Sequence, residues 1–276
     1  MNTSKFRKTI LDYYKANAHT RNFPWRQTQD PYKILVSEVM LQQTQALRVV
    51  PKYLSFLKKF PTTKALASAS PGDVLREWQG LGYNRRALYL KKCVETIEKD
   101  FGGNFPKDYT QLLTLPGIGP ATAGDILAFA WNKPVVVIET NIRSVFIHFF
   151  FTKNFSSEEK IHDKDILPLI EKTVDKKNPR EWYWALFDYG ANLKSSSKLA
   201  GGNPSRRSKH YTKQSKFEGS NRQLRSQILK LILDKPRTEL QILKLTGGES
   251  EIISKNIADL LQEGMIRKSG KTYSVI

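Results

Sequence analysis

Two glutamates and one glycine turn hold the residue types from which this chain can build a reaction. Glu38 sits in Ser37-Glu38-Val39-Met40-Leu41-Gln42-Gln43-Thr44-Gln45, preceded by Ile34, Leu35 and Val36. An acid among so many apolar side chains is costly to bury unless it is paired or its pKa rises. A carboxyl raised in this way is a proton donor near neutral pH. Taken alone, Glu38 reads as a surface residue. Glu139 follows Val135-Val136-Val137-Ile138, a short extended apolar run that buries itself and presents the carboxylate at its end. Between the two glutamates lies Leu115-Pro116-Gly117-Ile118-Gly119, where two residues without Cβ let the backbone turn tightly and approach another molecule. A helix opening at Pro120 points unpaired N–H groups out of that turn, a ready site for an anion such as phosphate. A phosphate clamp beside a carboxylate suggests chemistry on a nucleic acid.

The charge balance agrees. Among 276 residues, Lys and Arg number 45 against 26 Asp and Glu, a net charge of +19. Such an excess favours polyanions, with nucleic acid the first candidate and an acidic membrane surface the second. No apolar run approaches the roughly 18 residues of a spanning helix, and Met1–Lys8 has no signal-peptide core. One cysteine, Cys93, excludes an internal disulfide, a cysteine-held iron–sulfur cluster and a Cys-rich zinc site. A cytoplasmic, nucleoid-associated protein is expected.

Helices must position these groups. Phe6, Ile10, Leu11, Tyr13 and Tyr14 recur at helical spacing over 5–18. Phe23-Pro24-Trp25-Arg26 is a loop whose Trp25 and Arg26 either serve a site or staple the loop to the core. The helix after Asp30-Pro31, which carries Glu38, is apolar almost all round. Helical patterns continue through 47–59, 63–69, 71–79, 84–100, 108–115, 120–131, the stretch from Glu139 through Phe150, 158–176 and 180–193. Gly80-Leu81-Gly82-Tyr83-Asn84-Arg85-Arg86 is a turn into a basic helix start. Val135–Ile138 is the one strand-like run, so residues 1–193 read as all-α. Residues 194–221 are small, polar and basic, and read as a linker or a DNA-tracking strap through Arg206, Arg207 and Lys209 rather than a packed element. Residues 222–276 give three helices and a hairpin around Ser269-Gly270, the order of a winged helix, which contacts DNA or protein.

On Ser37–Gln45 and Leu115–Gly119 the chain resembles the helix-hairpin-helix (HhH-GPD) DNA glycosylases, and within them the MutY-type adenine DNA glycosylases. Phe23–Arg26, Gly80–Tyr83 and Asp188-Tyr189-Gly190-Ala191 fall in matching order, and the likeness covers roughly residues 5–193. The resemblance implies a two-lobed helical body followed by the winged helix. In it, Glu38 protonates the departing base and handles the proton of the attacking water. Leu41 and Gln42 fill the gap left in the duplex. Trp25, Arg26, Gln43 and Asp188 belong to the base pocket, and Tyr83 supports the lesion strand. Pro116, Gly117, Ile118, Gly119, Thr122 and Asn141 hold the DNA phosphate, with a monovalent cation on the hairpin carbonyls.

Departures from the family's pattern carry expectations too. Its catalytic aspartate, which stabilises the sugar cation, falls at Glu139, one methylene longer. The four-cysteine cluster loop is replaced by 194–221, as in cluster-free relatives, so no iron–sulfur cluster and no other metal are expected. Ala121 stands where bifunctional members carry a Schiff-base lysine, which implies a monofunctional enzyme. The usual C-terminal domain that reads 8-oxoguanine is replaced by the winged helix. The expected activity is hydrolysis of the N-glycosidic bond of adenine opposite guanine or 8-oxoguanine in double-stranded DNA by a monomer without membrane contact. Two alternatives stay open: thymine, uracil or hypoxanthine as the base removed, or a catalytically idle protein that senses mismatches.

Overall fold

The computed structural model describes residues 2–151, 160–195, 203–214 and 216–276, and these are predominantly helical. No described helix is long and apolar enough to cross a membrane. The chain divides into two compact units. The first comprises Met1–Leu35, Lys107–Leu113 and Gly119–Lys213, and the second Val36–Pro106, Thr114–Ile118 and Gln214–Ile276.

In the first unit, α1 (Thr3–Asn17), α8 (Pro120–Trp131), α9 (Thr140–Phe150), α10 (Asp163–Thr173) and α11 (Pro179–Ser195) are the main helices. The apolar stripe of α1 buries Phe6, whose ring meets Phe146, Phe149, Phe150 and Trp182 at centroid distances of 5.0–5.8 Å. One side chain thereby joins α1, α9 and α11, and tilted or edge-on ring pairs of this kind add to the burial energy. The helix expected over 158–176 is α10, Asp163–Thr173; residues 158 and 159 of that expectation lie outside the described residues.

The extended run Val135–Ile138 pairs with no strand among the described residues, which corrects the strand expectation. Its backbone is served by a side chain instead. The buried Tyr183 of α11 donates its hydroxyl to the Val135 carbonyl at 2.6 Å and accepts the Val137 N–H at 3.1 Å. Of the four apolar residues only Val137 is fully buried, packed against Gly124 of α8, where a Cβ would come within 2.7 Å of it.

The second unit begins within α2 (Pro31–Leu41) and holds α3 (Ala46–Lys59), α4 (Thr63–Ala67), α5 (Pro71–Trp78) and α6 (Arg85–Phe101) around Phe56, Leu66, Leu75, Trp78 and Val94, all fully buried. Residues 222–276 do not stand apart from it. α12 (Asn221–Asp234), α13 (Glu239–Thr246) and α14 (Ser250–Gln262) accompany a three-stranded antiparallel sheet ordered β1 (Arg237–Thr238), β3 (Thr272–Val275), β2 (Ile266–Ser269). β2 and β3 pair from Ile266↔Val275 to Ser269↔Thr272, leaving a two-residue turn with Gly270 at φ 56°. β1 has too few residues to be legible as a strand. Arg76 of α5 donates to the Leu233 carbonyl of α12 at 3.3 Å, and Gly72 leaves room for Val275, which fixes this region to α5.

The stretch expected as an unpacked linker is packed over part of its length. Pro204–Arg207 forms a single 3₁₀ turn whose Ser205 is buried and hydrogen-bonded to the buried Ser144 of α9. Ile161 and Ser208 form a parallel bridge, with Ile161 N–H on the Arg207 carbonyl at 2.8 Å and Lys209 N–H on the Ile161 carbonyl at 3.0 Å. Main-chain bonds and small buried hydroxyls hold the segment, so it carries no apolar period to read. Residues 196–202 and 215 of the same stretch lie outside the described residues.

Tyr183→Phe removes the hydroxyl that serves two backbone groups of the 135–138 segment. It should lower unfolding free energy by about 1–3 kcal/mol in chemical denaturation, the usual cost of leaving buried polar groups unpaired.

Candidate active site

In the second unit, Glu38 lies in the last turn of α2, half-buried between fully buried Ser37 and Val39. The final carbonyls of a helix have no donors of their own. Here Arg86, in the first turn of α6, supplies them. Its Nη1 donates to the carbonyls of Val39 (2.7 Å), Met40 (3.0 Å) and Gln42 (2.6 Å). Its Nη2 donates to Gly82 (3.0 Å) and Leu81 (3.3 Å) and to the Thr44 hydroxyl (3.2 Å). The guanidinium also lies 5.4 Å from the Trp78 ring centroid and 5.6 Å from that of Tyr83. Burial lowers its pKa to about 10, so it remains a cation at neutral pH. One side chain thus ends α2, shapes its exit and ties it to the Gly80–Tyr83 loop. The sequence offers nothing to separate Arg86 from its exposed neighbour Arg85, whose guanidinium donates to the Tyr89 hydroxyl at 3.4 Å and lies 5.9 Å from that ring's centroid.

Beyond α2, Leu41 and Gln42 are half-buried, and Gln43 is exposed at φ 54°, the left-handed region. Tyr83 also has a positive φ, 49°, and its hydroxyl accepts hydrogen bonds from Gln214 and Arg222. Pro116, Gly117 and Ile118 share with Val39, Gln42 and Arg86 the lining of a cavity of about 40 Å³. That is far below the roughly 300 Å³ of a ligand pocket, so it suits water rather than a base.

The two hairpin glycines answer different demands. Gly117 has φ +79°, and a Cβ there would lie 2.8 Å from Tyr89 Cβ, so backbone and packing both require glycine. Gly119 has φ −97° and no atom within 4 Å of a Cβ position. The fold does not require its bareness, which leaves clear space for an outside group. Gly119 caps α8 with no side-chain bond, so the helix opens toward an anion; Thr122, one turn in, is buried.

In the first unit, Glu139 is the N-cap of α9. Its Oε1 accepts the N–H groups of Asn141 (2.6 Å) and Ile142 (2.9 Å), and its Oε2 accepts Asn141 Nδ2 (3.3 Å). Lys194 donates to Asn141 Oδ1 at 2.8 Å, which orients the amide so that its NH₂ faces the carboxylate. Burial raises the Glu139 pKa, opposed by Lys194, by the two backbone N–H groups and by Arg143. Gly190 of α11 permits this assembly: a Cβ there would sit 2.5 Å from the Asn141 carbonyl oxygen.

Asp188, two residues before Gly190, is almost fully buried and accepts both Nη groups of Arg26, at 2.8 and 2.7 Å. Arg21 Nε stands 3.4 Å from the same carboxylate. The Arg26 guanidinium lies near the rings of Phe23 (5.5 Å) and Trp184 (5.6 Å), while Trp25 is buried and stacks on Phe23 at 4.9 Å. Loop 23–26 is therefore stapled to α11 by a bidentate ion pair. Of the three basic residues expected along a strap, Arg206 and Lys209 are exposed, whereas Arg207 turns inward and donates to the Phe151 carbonyl at 2.7 Å.

The expected residues thus fall into two groups. Glu38, Leu41, Gln42, Gln43, Tyr83 and Pro116–Ile118 belong to the second unit, and Trp25, Arg26, Gly119, Thr122, Glu139, Asn141 and Asp188 to the first. Sequence reasoning missed Arg86 and Lys194, whose roles depend on which carbonyls and amides the fold brings to them.

The sequence model of the HhH-GPD superfamily of base excision DNA repair proteins matches residues 36–166. An adenine DNA glycosylase of Buchnera aphidicola subsp. Baizongia pistaciae is 36% identical over 204 residues, 72% of this chain and 56% of that relative. A thymine/uracil-DNA glycosylase of Methanothermobacter thermautotrophicus is 30% identical over 194 residues, 68% of this chain and 86% of that relative. The solved structure of a thermostable thymine-DNA glycosylase superposes with a TM-score of 0.63 at 28% identity, covering 71% of this chain and 89% of the other. The chain spans 56% and 53% of the length of two adenine DNA glycosylases of Buchnera aphidicola, and 36% of that of the Homo sapiens one.

Arg86→Lys, which keeps the charge but cannot reach the same acceptors, should cost about 3 kcal/mol of stability. Arg85→Lys should leave the denaturation midpoint unchanged. For Glu139, the raised pKa means that the folded state holds the proton to higher pH than the unfolded chain does. The associated stability is complete below the ordinary carboxylate range and declines as pH rises through the folded pKa. The stability difference between wild type and Glu139→Gln should therefore shift against wild type as pH climbs through that window. Lys194→Gln, which removes the opposing cation, should extend the window upward.

Proposed function

The chain belongs to the HhH-GPD superfamily of base excision DNA repair proteins, and from that premise we propose that it is a monofunctional DNA glycosylase that hydrolyses the N-glycosidic bond of adenine mispaired with guanine or 8-oxoguanine in duplex DNA. The observation that carries the reading is Glu38: a half-buried acid in the string SEVMLQQTQ, on a helix end whose carbonyls are held by Arg86. Relatives named adenine DNA glycosylase, at 36% and 37% identity, support the base assignment.

In this mechanism the flipped adenine accepts a proton from Glu38. The C1′–N bond breaks with both electrons leaving on the base, and positive charge remains on the deoxyribose. Glu139 offsets that charge as an ionised carboxylate fixed by helix N–H groups. Glu38, now deprotonated, takes the proton of the water that adds to C1′. The division of labour parallels glycoside hydrolysis by two carboxylates. DNA phosphate meets the open N-terminus of α8 at Gly119 and the turn at Pro116–Ile118. Strand cleavage by a lysine is not part of the proposal, since no lysine lies between Leu115 and Asn132. Nor is an iron–sulfur cluster, which a single cysteine could not hold.

A second reading rests on a specific observation. The thymine/uracil-DNA glycosylase is spanned over 86% of its length, against 56% of the Buchnera adenine glycosylase, so a pyrimidine opposite guanine is the competing base.

A panel of duplexes with single adenine, thymine, uracil or hypoxanthine mispairs, scored with and without alkali, tests both readings. Adenine release with strand breaks only after alkali is expected, and release of a pyrimidine alone would overturn the base assignment. Glu38→Gln should lower single-turnover release by about 10²–10⁴-fold, the usual scale of general acid catalysis, while duplex affinity persists. An idle binder would have no turnover to lose. Affinity should also fall steeply as salt rises.

A further inference from the structure

Around Tyr83 the second unit brings together residues far apart in sequence. Gln214 Nε2 and Arg222 Nη1 both donate to the Tyr83 hydroxyl oxygen, each at 2.6 Å. The Arg222 guanidinium lies 5.3 Å from the Tyr83 ring centroid and 5.4 Å from that of Phe217. Arg86, which holds the end of α2, reaches the main chain of the same tyrosine through Nε, at 3.4 Å from the Tyr83 carbonyl. Tyr83 keeps a positive φ of 49°, disfavoured for a side chain of its size, so this loop conformation needs outside support. Gln214 is exposed, Tyr83 and Arg222 are half-buried, and Phe217 presents 45% of its surface.

A phenol oxygen that accepts two hydrogen bonds has its lone-pair directions filled, and its own hydrogen is left to point elsewhere as a donor. DNA offers acceptors for it, as phosphate oxygens and as the base edges of the minor groove. The surroundings match that partner. A guanidinium near two aromatic rings, with exposed Lys216 next to Phe217 in the chain, is the kind of basic and aromatic surface on which nucleic acid strands stack.

We propose that Gln214, Phe217 and Arg222 complete a DNA-strand contact begun by Tyr83: Gln214 and Arg222 are positioning residues that aim the Tyr83 hydroxyl outward as a donor, and Phe217 extends the contact surface. The inference rests on the glycosylase reading above for the presence of DNA at Tyr83. It adds that the end of the 194–221 stretch and the start of α12 take part in holding the damaged duplex.

The test uses the full chain and a duplex carrying a non-hydrolysable abasic-site analogue opposite guanine, alongside turnover on the cleavable duplex. Arg222→Leu and Gln214→Ala should each weaken analogue binding, Arg222→Leu by about tenfold, as expected for loss of a cation–aromatic contact with a charge-assisted hydrogen bond. Both should raise KM more than they lower kcat. Arg222→Lys should recover part of the affinity. Tyr83→Phe should bind as weakly as Arg222→Leu, and the double variant no more weakly than either, because the two residues act through one hydroxyl. Phe217→Ala changes an exposed side chain and keeps the test decisive if Arg222→Leu fails to fold; it should bind severalfold more weakly at an unchanged melting temperature. Unchanged analogue affinity in these variants, or fully additive effects of Tyr83→Phe and Arg222→Leu, would overturn the inference. A wild-type protein that binds the analogue but releases no base would instead count against the proposed function, and the binding comparison would still decide this one.

Discussion

The Arg86 guanidinium is the constraint on which the end of α2, and with it Glu38, depends. A buried cation is tolerated only when its donors are met, and here the acceptors are the orphan carbonyls of α2 and of the Gly80–Tyr83 loop. Each side cancels the other's desolvation cost. The arrangement also fixes geometry. Glu38 is one residue before the first carbonyl that Arg86 holds, so the turn that carries the acid cannot fray without stranding a charge. Gln42 and Thr44, on either side of the left-handed Gln43, are held by the same group.

The first unit solves a parallel problem with opposite charge. Asp188 is a buried carboxylate met by Arg26 on two atoms and approached by Arg21, and two residues later Gly190 lets α11 and α9 touch at Asn141. Asp188-Tyr189-Gly190 therefore performs two tasks on one helix. Asp188 anchors loop 23–26, and Gly190 sets the distance at which Asn141 and Lys194 can serve Glu139. Replacing the glycine would displace the carboxylate without altering it.

Much of this was legible in the sequence, and what was not has identifiable causes. Apolar periodicity gave most helices to within a residue or two, because core contact and helical spacing are the same signal. Gly117 was legible, since a positive φ leaves few choices. Arg86 was not. Arg85 and Arg86 are chemically identical neighbours, and only the left-handed turn at Tyr83 decides which points inward. Tyr183 falls inside the helix expected over 180–193, but nothing in that periodicity shows that its hydroxyl does the work of a strand partner for Val135 and Val137. The 203–209 segment escaped because buried serines and a main-chain bridge leave no hydrophobic trace.

Glu139 stands where the family resemblance leads one to expect aspartate, and the geometry gives the longer side chain a physical account. An N-cap usually needs a short acceptor, because its oxygen must fold back to the second and third N–H groups of the helix. In Glu139 a single oxygen, Oε1, meets both groups, so the extra methylene does not forfeit the cap. It does place Oε2 further from the backbone, where a free carboxylate would swing. The Asn141 amide holds it, and Lys194 holds the amide. These bonds favour the ionised form, whereas burial disfavours it, and the balance leaves the pKa raised. The cation behind the amide thus offsets part of the burial that works against ionisation. Lys194 lies in the last turn of α11, so the placement of the longer acid depends on how that helix ends.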